Sequence, residues 1–327
     1  MLRHILVPLD GSSLAAAAFP YAVALARVGD ARISLLAVVD PLPADGSRPS
    51  AAALEGVERQ VTESTAYLES VATTVRTPDL SVATVIRHGN PASAILAYAE
   101  EAGCGLVVMG THGRTGLARA RAGSVAQHVL RHAVSPTLVV PPAASATTGA
   151  PAIAGIAVTL DGSSLAEDAL PVAAQLATAL AVPLTLLRVI PALTPLAYGA
   201  YGGWGGGYAD YYPESVEQEA ADDRAVADYL TAMATRLRAP GLDVRTHAER
   251  GATSQTAELI AAALTQGPAG LAVMASHGRG GVLRWALGST VEGVLDLAPC
   301  PILVMRAGAL TGTASAALPV GVAAHAD

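Results

Sequence analysis

A polar segment at residues 110–124, GTHGRTGLARARAGS, has the residue types that could hold an anion. It follows the apolar run at 106–109, which is typical of a buried strand, and it ends at Ser124, where a helical pattern begins. Glycine lets a ligand approach the main chain, and the first turn of a helix offers unpaired N–H groups with a partial positive charge. This order of residues predicts a phosphate site made by the backbone.

Glycines and arginines within the segment give the prediction its detail. Gly110 and Gly113 can take backbone angles that other residues avoid and can let a ligand approach the main chain. The amides at Gly113 and Gly123 are expected to stay free for a polyphosphate. Ser124 adds a hydroxyl at the helix start. The local positive potential is raised by Arg114, Arg119 and Arg121. The predicted chemistry is phosphate binding by backbone amides rather than by a lysine.

The chain contains this arrangement twice. A second segment at 275–289, ASHGRGGVLRWALGS, repeats the first, and DGSSL at Asp10–Leu14 recurs at Asp161–Leu165. The stretch at 141–152, PPAASATTGAPA, has the composition of a linker. Two copies of one domain are therefore predicted. The expected parts are a domain at 1–142, a domain at 153–307 and a disordered tail at 308–327.

Composition and charge exclude several classes of protein. The net charge is −7, which argues against a general nucleic-acid binder because that work needs clustered cations. All 20 basic residues are arginine, so Schiff-base chemistry and phosphate loops that need a lysine are excluded. The two cysteines, the lack of an apolar run long enough for a bilayer and a start without a signal peptide predict a cytoplasmic protein that does not bind membranes.

Short β-branched runs alternate with alanine-rich helical stretches in each half, which predicts a doubly wound α/β fold. The runs of Val, Leu and Ile lack alternation, as expected for a parallel sheet covered on both faces. First-half strands are predicted near residues 3–9, 32–39, 81–87, 105–110 and 136–141. The intervening helices are predicted near residues 12–28, 51–75, 91–102 and 123–133. The second half has the same pattern plus a Gly- and Tyr-rich insertion at 197–213.

The spacing Gly110-x2-Gly113-x9-Gly123-Ser124, the VPLDGS start and the SPTLVV end resemble the universal stress protein family over nearly the whole chain. The resemblance implies two tandem domains, each with a five-stranded parallel sheet of strand order 3-2-1-4-5 flanked by helices. It implies ATP as the bound cofactor of many members, and it leaves Mg²⁺ open as a companion ion. It also implies pairing through the last strands, here between 136–141 and 301–306 of one chain, and leaves a homodimer open.

The resemblance also assigns binding residues by position. In the first half the base and ribose would be framed by Pro8, Asp10 and Val38. Ribose and phosphates would be held by Met109, Gly110, Gly113, Gly123, Ser124 and Val125, with Arg114 beside them. The matching second-half positions are Asp161, Val189, Met274, Gly278, Gly288, Ser289 and Thr290. Asp10 could instead cap the first helix, but Ser12 or Ser13 can perform that task, and we favour a ligand contact for Asp10.

Two departures lower the expectation for the second site. Ala275 stands where the first half has Gly110, and Thr159 replaces Pro8. A methyl group at 275 is expected to crowd the ribose or to force the turn. The insertion is expected at the nucleotide rim, where it is either a flexible loop or a lid with Trp204 or a nearby tyrosine stacked on a base.

These observations predict a cytoplasmic stress-response regulator that depends on an adenine nucleotide and acts on an unknown protein partner. It is not expected to be an enzyme, apart from slow incidental ATP hydrolysis. In this hypothesis ATP orders residues 110–124 and thereby alters a surface that the partner reads. Two alternatives stay open: a nucleotide-free protein-interaction scaffold and a related adenylate-forming enzyme.

Overall fold

The computed structural model describes residues 2–39, 50–111, 123–145, 153–192, 212–276 and 287–306. Within 212–276, side chains are described from residue 217 onward. The first-half strands are β1 (His4–Pro8), β2 (Arg32–Val39), β3 (Val82–His88), β4 (Leu106–Gly110) and β5 (Thr137–Val140). The first-half helices are α1 (Ser13–Ala16), α2 (Phe19–Gly29), α3 (Ala51–Thr73), α4 (Pro91–Glu101), α5 (Ser124–His132) and α6 (Pro142–Ser145).

The second half repeats this order. Its strands are β6 (Ile156–Thr159), β7 (Leu184–Pro191), β8 (Val244–Gly251), β9 (Leu271–Ala275) and β10 (Ile302–Met305). Its α-helices are α7 (Ser164–Glu167), α8 (Leu170–Leu180), α9 (Tyr212–Arg236), α10 (Thr256–Gln266) and α11 (Ser289–Leu297), and a 3₁₀ turn spans Thr253–Gln255.

All ten strands form one sheet, in the order β3-β2-β1-β4-β5-β10-β9-β6-β7-β8. Neighbouring strands within each half are parallel, so each half has the predicted strand order 3-2-1-4-5. The halves join where β5 and β10 pair antiparallel, with Leu303 opposite Leu138. The fold class is therefore confirmed, and the expected pairing of the last strands occurs within the chain.

The inner strands are buried because helices cover both faces of the sheet. Every residue of β1 and β4 is buried. In β1, Val7 packs on one face with α2 and α3, while Leu6 packs on the other with α4 and α5. Apolar side chains are needed on both faces of such a strand, which explains the runs without alternation in the sequence.

One predicted helix is two helices. The stretch predicted as one helix near 12–28 forms two helices, α1 and α2. Helix α2 starts at Phe19 and has Pro20 in its first turn. Proline has no N–H to donate to the preceding turn, but it is well accommodated at a helix start. The prediction of a single helix is therefore wrong, and the second half divides in the same way at Pro171.

Several predictions fall outside the described residues. They include the conformation of the insertion up to residue 211, the linker residues 146–152 and the tail at 308–327, so the lid and the disordered tail stay predictions. Helix α9 begins at Tyr212, inside the predicted insertion. Among the described helices, none combines the length and the apolar character that a bilayer span requires.

Candidate functional site

The strand order of the first half reverses between β1 and β4, which makes a crevice at their carboxyl ends. Ile5 pairs in parallel with Leu106, so β1 and β4 end at the same edge of the sheet. Pro8 and Gly110 are the last residues of these strands, and Asp10 follows just beyond. Ligands of doubly wound folds bind at such an edge, so the predicted residues lie where a site is expected.

Asp10 shapes the turn that leads into α1. Its Oδ1 atom accepts hydrogen bonds from the Ser12 amide at 2.9 Å and from the Ser12 hydroxyl at 2.6 Å. Ser12 in turn accepts a hydrogen bond from the Ala15 amide at 3.1 Å and caps the helix. The expectation that a serine rather than Asp10 caps this helix is confirmed, while the ligand contact of Asp10 stays a prediction.

The second half has the same turn. Asp161 Oδ1 accepts from the Ser163 amide at 2.9 Å and from its hydroxyl at 2.5 Å. Ser163 accepts from the Ala166 amide at 3.2 Å. The Asp-Gly-Ser-Ser motif therefore folds identically in both crevices, and a difference between the two sites must come from other residues.

Gly110 is required by packing and not by an unusual backbone angle. Its φ lies outside the left-handed region, so the conformational freedom of glycine is not used at this position. A Cβ atom on Gly110 would lie 2.6 Å from the carbonyl oxygen of Leu14 in α1. The group that approaches Gly110 closely is thus the protein's own first helix.

Gly123 corrects a second expectation. Its amide donates a hydrogen bond to the carbonyl of Thr111, with a nitrogen–oxygen distance of 2.6 Å. The prediction that this amide stays free for a phosphate is therefore wrong. The same bond joins the residue after β4 to the residue before α5, so the loop between them leaves and returns at one point beside the crevice.

The start of α5 keeps anion-binding character. No side chain caps it, and its first turn carries no acidic residue. Ser124, its first residue, is exposed, and Val125 follows it half-buried. The first N–H groups of such a helix carry a partial positive charge. The Gly123 amide is engaged, so an anion at this helix start would meet the amides that follow it.

The structure describes most of the remaining predicted site residues, and three of them lie outside its described ranges. Val38 and Val189 are half-buried in β2 and β7, and Met109 and Met274 are buried in β4 and β9. Gly288, with φ 81°, precedes Ser289 and Thr290 at the start of α11. Outside the described residues lie Gly113, Arg114 and Gly278.

Ala275 behaves as an ordinary strand residue. It pairs with Met305 of β10, and its φ is outside the left-handed region. Its methyl group therefore causes no left-handed backbone at 275, while the turn beyond Ser276 lies outside the described residues and the effect on it stays a prediction. Whether the methyl group crowds a ribose stays a prediction.

The sequence profile described as the universal stress protein family matches residues 1–141 and 155–306. The chain belongs to this family. A universal stress protein of Methanocaldococcus jannaschii is 34% identical over 43% of this chain and 82% of its own length. One of Mycolicibacterium smegmatis is 29% identical over 92% of this chain and 96% of its own.

Solved universal stress proteins have the same fold. A crystal structure from Archaeoglobus fulgidus aligns with a TM-score of 0.64, covering 93% of this chain and 98% of the other at 20% identity. The tandem arrangement is therefore shared over nearly the full length.

The sequence reasoning did not single out Tyr67, a residue of the first half of this universal stress protein. The hydroxyl of Tyr67, on α3, is buried and has no hydrogen-bond partner within the described part of the chain. Burial, followed by the negative charge of Asp10, raises the pKa of Tyr67. Both effects favour the protonated phenol.

The matching tyrosine of the second half is Tyr229, and it has partners. Its hydroxyl donates to Glu167 Oε1 at 3.2 Å, and Glu167 Oε2 is 3.0 Å from Nη1 of Arg236. The Arg188 guanidinium lies 4.8 Å from the centre of the Tyr229 ring and packs against Gly162. Burial first, then Glu167, raises the pKa of Tyr229 to about 12.

The sequence did contain a signal for this difference. The pair Tyr67-Leu68 recurs as Tyr229-Leu230 before the third strand of each half. Aligning the repeats also sets Ala16 against Glu167 and Ala37 against Arg188. The first crevice therefore has small residues where the second has a charged network.

Proposed function

We propose that this universal stress protein binds ATP in its first half, at the carboxyl edge of β1 and β4. One observation carries the proposal: the end of β4 and the start of α5 are held together beside the Asp10 turn by the 2.6 Å hydrogen bond from Gly123 to Thr111. A carboxylate and an uncapped helix start thus flank one crevice at the switch point of the sheet. Membership of the family supports an adenine nucleotide as the ligand.

The two ends of the crevice suit different parts of the nucleotide. The phosphates would lie at the start of α5, where the amides of Ser124 and Val125 follow the engaged amide of Gly123. The nucleoside would lie toward Asp10, Pro8 and Val38, on the side of β1 and β2. Mg²⁺, if bound, would come with the phosphates.

We further propose that the nucleotide is bound as a signal and is not turned over at a useful rate. The regulatory role would follow from a difference between the bound and free states that a protein partner reads. Measurement of phosphate release from ATP by the purified chain tests this. Steady multiple turnover would contradict it, and steady release of pyrophosphate would favour an adenylate-forming enzyme.

Calorimetric titration of the full chain with ATP, with and without Mg²⁺, tests the binding proposal. The variant Asp10→Asn keeps an oxygen that can accept both bonds from Ser12, so the turn should persist while the negative charge is lost. We expect ATP affinity to fall by about tenfold in this variant, roughly the worth of one charged hydrogen bond. If the wild-type chain produces no binding heat and releases no nucleotide on denaturation, the proposal is wrong.

A further inference from the structure

Strand β8 forms one outer edge of the ten-stranded sheet. Among the described residues it pairs with β7 on one side only. Its residues 245–248 are all exposed. Because successive side chains of a strand point to opposite faces, four exposed residues in a row mean that the described helices leave this stretch uncovered on both faces. An uncovered edge strand can pair with a strand of another chain.

The even-numbered residues of β8 direct their backbone groups toward this open edge. The Leu184 amide donates to the Asp243 carbonyl, and the Ala192 amide donates to the Gly251 carbonyl. The odd-numbered residues therefore bond toward β7, since the direction of the backbone groups alternates along a strand. The residues whose N–H and C=O groups point outward are Val244, Thr246, Ala248 and Arg250.

The charges on β8 are complementary to those on a second copy of the same strand. Residue 251 faces α10, because a Cβ atom on Gly251 would contact Leu259 of that helix. By strand alternation, Arg245, His247 and Glu249 lie on the same face. Antiparallel pairing of two copies with His247 opposite itself sets Arg245 of each copy opposite Glu249 of the other. Centring the pair on Arg245 or on Glu249 would instead oppose like charges.

This register is also compatible with the backbone. With His247 on the two-fold axis, Thr246 lies opposite Ala248 of the second copy, and both residues direct their backbone groups outward. They would form a hydrogen-bonded pair, while the two His247 residues would form a closer pair without hydrogen bonds. The side chains of Thr246 and Ala248 are small, so the two strands can approach.

The internal contacts of the charged residues leave room for this pairing. Arg245 Nε and Nη2 are 2.9 Å and 2.7 Å from Asp243 Oδ2. Glu249 Oε1 is 2.8 Å from His247 Nε2. A guanidinium has five N–H donors and a carboxylate has about four acceptor positions, so each group can add a contact to a second copy.

The opposite edge of the sheet, strand β3, lacks this pattern. It contains no acidic residue, and its residues 84–87 are half-buried. Antiparallel self-pairing centred on Val85 would set Ala83 opposite Arg87, which gives no ion pair. Of the two outer strands, β8 is therefore the one whose charges suit a second copy.

We infer that β8 is a self-association surface, through which two copies of this chain pair antiparallel around His247 and extend the sheet. One strand from each chain makes an interface well below the roughly 1,200–2,000 Å² of stable complexes, so the dimer is weak and depends on concentration. The inference does not rest on nucleotide binding, because the proposed nucleotide crevice lies between β1 and β4, away from this edge.

Disulfide trapping tests the register. His247→Cys would bring two thiols together at a pair whose Cα atoms are about 4.5 Å apart, a distance that a disulfide spans. We expect a covalent dimer under mild oxidation. Thr246→Cys is the matched control, because residue 246 is also exposed but would lie opposite 248, beyond the roughly 7 Å that a disulfide spans from 246 to 246. The native Cys104 and Cys300 are buried and should stay unlinked.

Sedimentation equilibrium of the full chain, from micromolar to millimolar concentration, tests the charges. We expect a monomer–dimer equilibrium for the wild type. Arg245→Glu opposes like charges at two symmetry-related pairs, so it should weaken the dimer by about tenfold or more. Adding Glu249→Arg to this variant restores opposite charges and should bring the dissociation constant back to within about threefold of the wild type. Circular dichroism checks that each variant is folded.

Three results would overturn the inference. One is a wild-type chain that stays monomeric at millimolar concentration. Another is a dimer that tolerates Arg245→Glu, which would use a different surface. The third is a Thr246→Cys variant that links as readily as His247→Cys, because the two strands would then not pair around residue 247.

Discussion

The two crevices of this protein have the same backbone turn and differ in the side chains around it. Both have the Asp-Gly-Ser-Ser turn, with the same hydrogen bonds from Ser12 to Asp10 and from Ser163 to Asp161. In the second half Tyr229 joins a network around Glu167, while in the first half the Tyr67 hydroxyl has no hydrogen-bond partner among the described residues. Both halves therefore keep the residues that build the turn, while neighbouring side chains differ between the halves.

The starts of the fifth helices differ as well. Helix α5 has no acidic residue in its first turn, whereas α11 carries Glu292 there. An acidic side chain at a helix start competes with a phosphate for the positive end of the dipole. Both differences favour the first half as the better nucleotide site, and each can be tested by substitution.

The largest effect is expected from Gly110→Ala. The added methyl group would lie 2.6 Å from the Leu14 carbonyl oxygen and 3.3 Å from Ala15 Cα, both backbone atoms that cannot move without shifting α1. We expect the free energy of unfolding to fall by about 1–3 kcal/mol, the usual cost of overpacking. Urea unfolding measures it.

Gly56→Ala is the matched control for this substitution. Gly56 is exposed in α3, and a methyl group there would meet nothing within 4 Å. The same chemical change should therefore stabilise the protein by about 0.5–1 kcal/mol, because alanine is the better helix former. If Gly110→Ala also stabilises, the close approach of α1 to β4 is incorrect.

Glu167→Ala should destabilise the second half by about 1–2 kcal/mol, because the Tyr229 hydroxyl loses its acceptor. The pKa of Tyr229, about 12 in the native protein, should fall, since the charge and hydrogen bond of Glu167 contribute to raising it. Urea unfolding and absorbance titration of tyrosinate check the two effects. Arg236→Ala, which removes only an exposed partner of Glu167, should change the stability by less than about 1 kcal/mol; an equal loss would contradict the role assigned to the hydroxyl.

A smaller, pH-dependent effect should come from His4, whose counterpart in the second half is Gly155. His4 is buried; its Nε2 atom is 2.8 Å from the Ser34 hydroxyl and its Nδ1 atom 3.1 Å from the Ala102 carbonyl. Burial lowers its pKa below the usual value of 6.5. The unfolded chain therefore binds the proton more readily, and stability should fall as the pH drops below about 6.5.

His4→Gln removes this titration while keeping a donor and an acceptor. The decrease in unfolding free energy between neutral pH and pH 5 should become shallower in this variant. His247→Gln is the control, because that histidine is exposed on the surface, where its Nε2 atom lies 2.8 Å from Glu249 Oε1. An unchanged slope in His4→Gln would mean that other groups cause the acid sensitivity.

The smallest effect is expected at the ion pair between Arg131 of α5 and Glu292 of α11, which are 3.0 Å apart across the two halves. Both side chains are about half exposed, so a double-mutant cycle with alanine should give a coupling of about 0–1 kcal/mol that decreases with salt. A coupling well above this range would make the pair a structural link between the halves.

The fold could be predicted from the sequence because its signals are local and repeated. Apolar runs without alternation, such as Leu106–Met109, mark strands that are covered on both faces, and the order of motifs is the same in each half. The helix boundary at Pro20 was missed because the surrounding alanines favour an uninterrupted helix. Proline in the first turn of α2 overrides that preference.

The sequence predicted which strand ends meet at the candidate site, but not the contacts that its residues make. The glycine pattern pointed to the carboxyl edge of the sheet, where ligands of doubly wound folds bind, but glycine in a sequence does not reveal which group approaches it. At Gly110 that group is the Leu14 carbonyl, and at Gly123 the amide bonds to Thr111. The burial of the Tyr67 hydroxyl without a hydrogen-bond partner among the described residues depends on how α3 packs against the sheet, which the sequence does not reveal.

The central claim, that the two crevices are unequal and that the first is the nucleotide site, is tested most directly by ATP titration of Asp10→Asn and Asp161→Asn side by side. Both variants keep the oxygen that the turn needs, so they differ only in which crevice loses its charge. We predict that Asp10→Asn weakens the tightest ATP binding by about tenfold, while Asp161→Asn leaves it unchanged. The opposite pattern, or no ATP binding by the wild-type chain, would contradict the account.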